Sequence, residues 1–172
     1  MNTEQQKIEY KSLQKIRTGE KGFKELSTTC VALANAQGGQ IMIGVEDKTK
    51  KPAPNQVIPQ EEANSAVTRL RGLCFNVGLA VGDVCADETG SQYFAITVFP
   101  SLHSYATTSD GKMYIRVADK CEPVRSEDIQ RVGEEKGAFQ WELVPTRFEL
   151  EDENKTNLSK FANDIRQSDR VK

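Results

Sequence analysis

Apolar residues in this chain recur with two periods, and the switches between them mark out the elements. In residues 23–36, Leu26, Cys30, Leu33 and Ala34 fall at helical spacing, which predicts an amphipathic helix. Gln37-Gly38-Gly39 follows, and paired glycines allow a tight reversal at a helix end. Residues 40–45 then alternate, with Ile41, Ile43 and Val45 on one face of a strand. Gly44, on the other face, leaves room for a close neighbour. This unit delivers Asp47 to the rim of a sheet. Upstream, residues 7–13 read as a strand with Ile8 and Tyr10 facing one way and Glu9 and Lys11 the other. That strand is expected beside Ile43 in one mixed sheet, with Leu26, Cys30 and Leu33 packed on it. Residues 14–22 read as a polar loop.

Downstream, residues 48–59 hold three prolines and no periodicity, and read as a loop. Ala63, Val67, Leu70 and Cys74 mark a second helix ending near Gly78. Residues 79–87 and 92–98 read as a hairpin around Thr89-Gly90, with Phe94, Ile96 and Val98 toward the core. Residues 100–109 read as irregular. Asp110-Gly111 signals a turn into a strand over residues 112–117, in which Tyr114 and Arg116 share a face. Ser126 reads as the N-cap of a short helix over residues 127–132. In the tail, Leu158, Phe161, Ala162 and Ile165 form a helical stripe that predicts a helix over residues 155–166. Its apolar groups are expected to be hidden against another chain or the domain itself. The pattern as a whole is that of an α+β domain, a mixed β-sheet with packed helices, over residues 1–136. Residues 137–172 form a C-terminal extension in which a further domain could begin.

Composition narrows the function classes. At 172 residues, 37% of them hydrophobic, the chain can build one core, and no apolar run approaches the ~18 residues of a membrane span. No signal-peptide core opens the chain, so a cytoplasmic location is expected. Cys30, Cys74, Cys85 and Cys121 include no Cys-x-x-Cys pair, which argues against zinc and for reduced thiols. Cys30 and Cys74 fall on apolar helix faces and read as core. Phosphate-loop, dinucleotide and Gly-x-Ser-x-Gly motifs are absent, and the lone His103 cannot build a multi-histidine centre. The net charge of -2 is unevenly spread: residues 1–51 carry +3 and the remainder -5. An anionic partner is therefore expected at the N-terminal third. Lys7, Lys11, Lys15, Arg17, Lys21, Lys48, Lys50 and Lys51 are the candidate phosphate-tracking residues. A solvated face is the alternative. Tyr114 and Arg116 could stack on a base or pair a phosphate. Equally, Arg116 could neutralise Glu9 across the sheet. Asn35 reads as a capping residue at the end of its helix.

Three stretches together resemble the Schlafen AlbA_2 family. Glu4 with Glu9-Tyr10-Lys11 matches its Glu-x-x-x-x-Glu-aromatic-Lys pattern. Residues 34–39, Ala-Asn-Ala-Gln-Gly-Gly, and Ile43-Gly44-Val45 with Asp47 match its Ala-Asn-Thr-x-Gly-Gly and Ile-Gly-Val-x-Asp signature. Tyr114-Ile115-Arg116 matches its Tyr-x-Arg strand. The resemblance spans residues 4–135, with Ala36 for the usual threonine and Tyr10 for the usual phenylalanine. It implies an α+β fold and a nucleic-acid (DNA) binding module of a bacterial-type transcriptional regulator. In some Schlafens three carboxylates make a metal-dependent ribonuclease site, and the motif places those roles on Glu4, Glu9 and Asp47. Magnesium or manganese would then be the cofactor, since hard cations take carboxylate oxygens. The alternatives are thus a metal-dependent endoribonuclease, and a dimerisation or scaffold module. A homodimer without nucleic acid is kept open by an isoelectric point of about 5.6.

Overall fold

Strand β1 (Ile8–Lys11) runs parallel to β2 (Gly39–Ile43), with Glu9 opposite Ile41 and Lys11 opposite Ile43. A computed structural model describes residues 7–135 and 152–167 of the chain. Between the two strands lie α1 (Gln14–Arg17) and α2 (Glu20–Asn35). The segment expected as a polar loop is thus a helical turn followed by an early helix start. It is anchored by Arg17 and Lys15, through ion pairs to Glu62 and Glu25, and by Ile16, which packs against the core.

Helix α3 (Gln60–Leu73) is followed by β3 (Cys74–Phe75), β4 (Gly78–Val81), β5 (Cys85–Ala86) and β6 (Gln92–Phe99). The main sheet has the order β1-β2-β6-β4, with β5 also on β6. Only β1–β2 is parallel within it, so the sheet is mixed and the fold is α+β. Leu26, Cys30 and Leu33 of α2 are buried with Ile41, Ile43, Phe94, Ile96 and Val98 of the sheet in one core. Burying a large aliphatic or aromatic side chain is worth roughly 1.5–3 kcal/mol, so the paired stripes carry this arrangement.

Cys74 does not extend the second helix. Its backbone is extended and pairs, as part of β3, with β7 (Thr107–Thr108) in the stretch expected to be irregular. A second two-stranded sheet joins β8 (Tyr114–Val117) to β9 (Lys120–Pro123), a strand whose short polar sequence gave no signal. Ser126 makes no side-chain cap. It opens a 3-10 turn, Ser126–Asp128, that leads into α4 (Ile129–Glu135).

The helix-to-strand reversal has a clear cause. Gly38 adopts φ 73° and donates its N–H to Leu33 O at 2.9 Å, and the Ser101 N–H covers Ala34 O at 2.8 Å. With backbone closing the helix end, Asn35 is not its cap. Its buried amide instead donates to Ala106 O (2.8 Å) and Tyr114 O (3.0 Å), and accepts from Ala106 N–H at 2.9 Å. Asn35 therefore ties α2 to the segment that leads into β8.

Residues Met1–Phe139 and Gln140–Lys172 form separate compact units. In the second, α5 (Asp152–Gln167) covers the predicted tail helix. Leu158 and Phe161 are 51% and 63% exposed. The Ile165 side chain lies outside the described residues.

Candidate nucleic-acid interface

Strand β1 is an edge strand with two unlike faces. Glu9 and Lys11 share the face of Ile41 and Ile43, the side covered by helices. Tyr10 sits with Met42 and Ala95 on the other face, which is open among the described residues. The period of two that predicted this alternation therefore decides which chemistry each side receives.

On the covered face, Glu9 joins two cations. Its Oε1 lies 2.8 Å from Lys11 Nζ, and its Oε2 lies 2.7 Å from Arg116 Nη2. The Arg116 side chain is only 5% exposed. Burial works against its charge, but the Glu9 carboxylate outweighs this and raises its pKa above the ordinary value. Arg116 Nη1 also reaches Cys121 Sγ at 3.7 Å, whereas its buried Nε has no partner among the described residues. Arg116 thus pairs with Glu9 from the separate β8–β9 sheet rather than across the main one. Tyr114 packs against the core.

Asp47 follows β2 in a loop closed by the Val45–Pro52 bridge and by Glu46 N–H donating to Lys51 O. It is 77% exposed and pairs with Lys50 Nζ at 2.6 Å, which lowers its pKa below the ordinary carboxylate value. Glu4 lies outside the described residues. Of the carboxylate set, Glu9 spends both oxygens on cations and Asp47 spends one. Among the described residues, no group of three His, Cys, Asp or Glu side chains gathers to hold a metal. The described carboxylates do not fit a metal centre by themselves, because lysine and arginine already neutralise them.

The basic residues divide in the same way. Arg17 makes a two-pronged bond to Glu62, Nε at 2.7 Å and Nη2 at 2.8 Å, and also donates to Val57 O. Lys15 pairs with Glu25, and Lys11 with Glu9. These three brace the fold. Lys7, Lys21, Lys48 and Lys51 are exposed and make no ion pair with described residues. Lys50 holds Asp47 and also places its Nζ 4.1 Å from the centroid of the Tyr10 ring. Its φ of 54° is unusual for a lysine, and Lys50 N–H donating to Glu46 O at 2.8 Å helps to hold it there.

Lys50 and Lys51 overhang a groove of about 680 Å³ on the open face. Tyr10, Met42 and Tyr93 line it on the sheet, and Asp87 and Glu88 line it from the turn between β5 and β6. Tyr93 was not among the expected site residues. Its signal was present: with Phe94, Ile96 and Val98 turned to the core, Tyr93 had to face the other way.

The Schlafen, AlbA_2 family model matches residues 4–125. A solved structure, the DIP2311 protein from Corynebacterium diphtheriae, is similar in fold, with a TM-score of 0.52 at 21% identity. The alignment covers 72% of this chain and 26% of that one, so the chain spans about a quarter of its length. No curated protein matches at a significant level. Among the described residues no helix is long and apolar enough to cross a membrane.

Proposed function

The chain belongs to the Schlafen AlbA_2 family, and from that premise we propose that it is a nucleic-acid-binding module, one that binds DNA within a transcriptional regulator. One observation carries the reading beyond the family's nucleic-acid association. The loop over residues 46–51 presents Lys48 and Lys51 without ion pairs among the described residues, and Lys50 paired only within the loop to Asp47, beside an aromatic sheet face that is open among the described residues. Lys11, Lys15 and Arg17, by contrast, are committed to carboxylates of other elements or of the covered face. Exposed lysines gain by meeting phosphates, because each contact releases condensed counterions. They position the polymer without reading its sequence.

The test is a binding titration of DNA and RNA at several salt concentrations, with and without magnesium. Salt-sensitive binding without cleavage is the expected result. Replacing Lys48, Lys50 and Lys51 together by glutamine should weaken binding and flatten its salt dependence. Replacing Lys15 and Arg17 should act mainly on stability. An unchanged salt slope in the triple variant would move the interface to Lys7 and Lys21. Cleavage of RNA only with divalent metal, abolished by Asp47→Asn, would replace this reading by the endoribonuclease one.

A further inference from the structure

We infer that the groove over Tyr10 and Tyr93 is a base-stacking site for single-stranded nucleic acid. This inference rests on the nucleic-acid reading above and names the form of ligand that the same surface takes. The groove is floored by a sheet, and the two tyrosines project from its open face, Tyr10 from the edge strand and Tyr93 from β6. Both are partly buried. A duplex keeps its base faces stacked on one another and cannot offer them to such rings. A single strand can, and base–aromatic stacking tolerates any sequence because every base has a π face.

Charge fixes the class of ligand further. Lys50 already places an ammonium over the Tyr10 ring, so the site does not lack a cation. Its side chain is 52% exposed, and its flexible stem can swing outward as a base takes its place. Lys50 and Lys51 then flank the entering strand where its phosphates pass. Asp87 and Glu88 line the same groove, where they would repel a backbone but could accept from a base amino group. The polymer is therefore held with its backbone along Lys50 and Lys51 and its bases inward, over the tyrosines. Asp87 is partly committed, since its Oδ1 accepts from Thr89 and from the Ser91 N–H, which leaves Glu88 the freer acceptor.

The test uses the full chain and fluorescently labelled 12-nucleotide single strands, set against a duplex of the same sequence. Tyr10→Leu and Tyr93→Leu should each weaken single-strand binding about tenfold, within the range of losing one stacked base. Each should leave the salt slope unchanged, because no phosphate contact is removed. Tyr10→Phe keeps the ring and should bind within about twofold of wild type. Photocrosslinking a bromouracil-containing strand to the unmodified protein, followed by peptide mapping, should find Tyr10 or Tyr93 and does not depend on a variant folding. Crosslinks confined to other segments, or single-strand affinity unmoved by both leucine variants, would overturn the inference and leave the binding module intact. Duplex preferred over single strand would do the same. If the wild type binds neither DNA nor RNA at low salt, both readings fall together.

Discussion

Replacing Asn35 by alanine removes three hydrogen bonds at once and leaves the Ala106 N–H, in a fully buried residue, without its acceptor. A buried unsatisfied polar group costs roughly 1–3 kcal/mol, so Asn35→Ala should destabilise by about 3 kcal/mol in total. Urea unfolding measures this, and faster hydrogen exchange at Ala106 would localise it. Glu9 and Arg116 form a sharper test. Glu9→Gln leaves the buried Arg116 charge uncompensated and should cost about 3–5 kcal/mol. Adding Arg116→Met should recover much of that loss, because a buried pair is worth little against an apolar replacement. Additive losses in the double variant would mean that the two side chains act independently. These positions also show why sequence reading stops where it does. Glu9 was legible as a strand residue, and Arg116 as its partner or a phosphate ligand, but the choice depends on which face β8 turns to α2. Asn35 sat at a helix end, where capping is the local expectation, and its partners lie more than seventy positions away.

At the scale of elements, α1 is held by two ion pairs, Lys15 to Glu25 in α2 and Arg17 to Glu62 in α3. Hydrogen bonding to these cations lowers both glutamate pKa values below the ordinary 4.5. A lowered folded pKa gives stability that is complete above the unfolded value and lost as pH falls through the folded one. The braces should therefore hold without change from neutral pH down to about pH 5 and fail only below it. Glu62→Gln should cost about 0.5 kcal/mol at pH 7, as partly exposed pairs do, and make the acid side of the stability profile shallower. A profile as steep as wild type would remove the brace from the account. Gly44 is a second lever. Its φ is 92°, and an added Cβ would meet Gln56 Nε2 at 2.6 Å. That amide bridges Gly44 O and Gln92 O. Gly44→Ala should cost more than about 1 kcal/mol, read as a lower thermal midpoint. The sequence carried the apolar strands and long helices faithfully because burial imposes their periods. It lost α1, β3, β7 and β9, where ion pairs and neighbouring backbone, not periodicity, hold two to four residues in place.

For the whole molecule, the net charge of -2 makes attraction to a polyanion local rather than global. If three lysines of one loop make the phosphate contacts, log affinity for a single strand should fall with log salt at a slope of about -2. Between 50 and 200 mM salt that is a loss of roughly fifteenfold. A slope near -6 would require a second basic surface. The parallel pairing of β1 with β2 has a further consequence, for the growing chain. The strand carrying Tyr10 leaves the ribosome before its partner, since Gln40, which bonds to Lys7 O, is made about thirty residues later. Residues of β6, which close the other side of β2, come later still. Until then β1 lacks its partner β2, and Ile8 and Tyr10 are open to any passing chain. Lys7, Glu9 and Lys11 alternate with them, so every second position carries a charge. Glu9 and Lys11, which later brace the fold, thus act together with Lys7 as gatekeepers for a nascent strand that must wait for its neighbour.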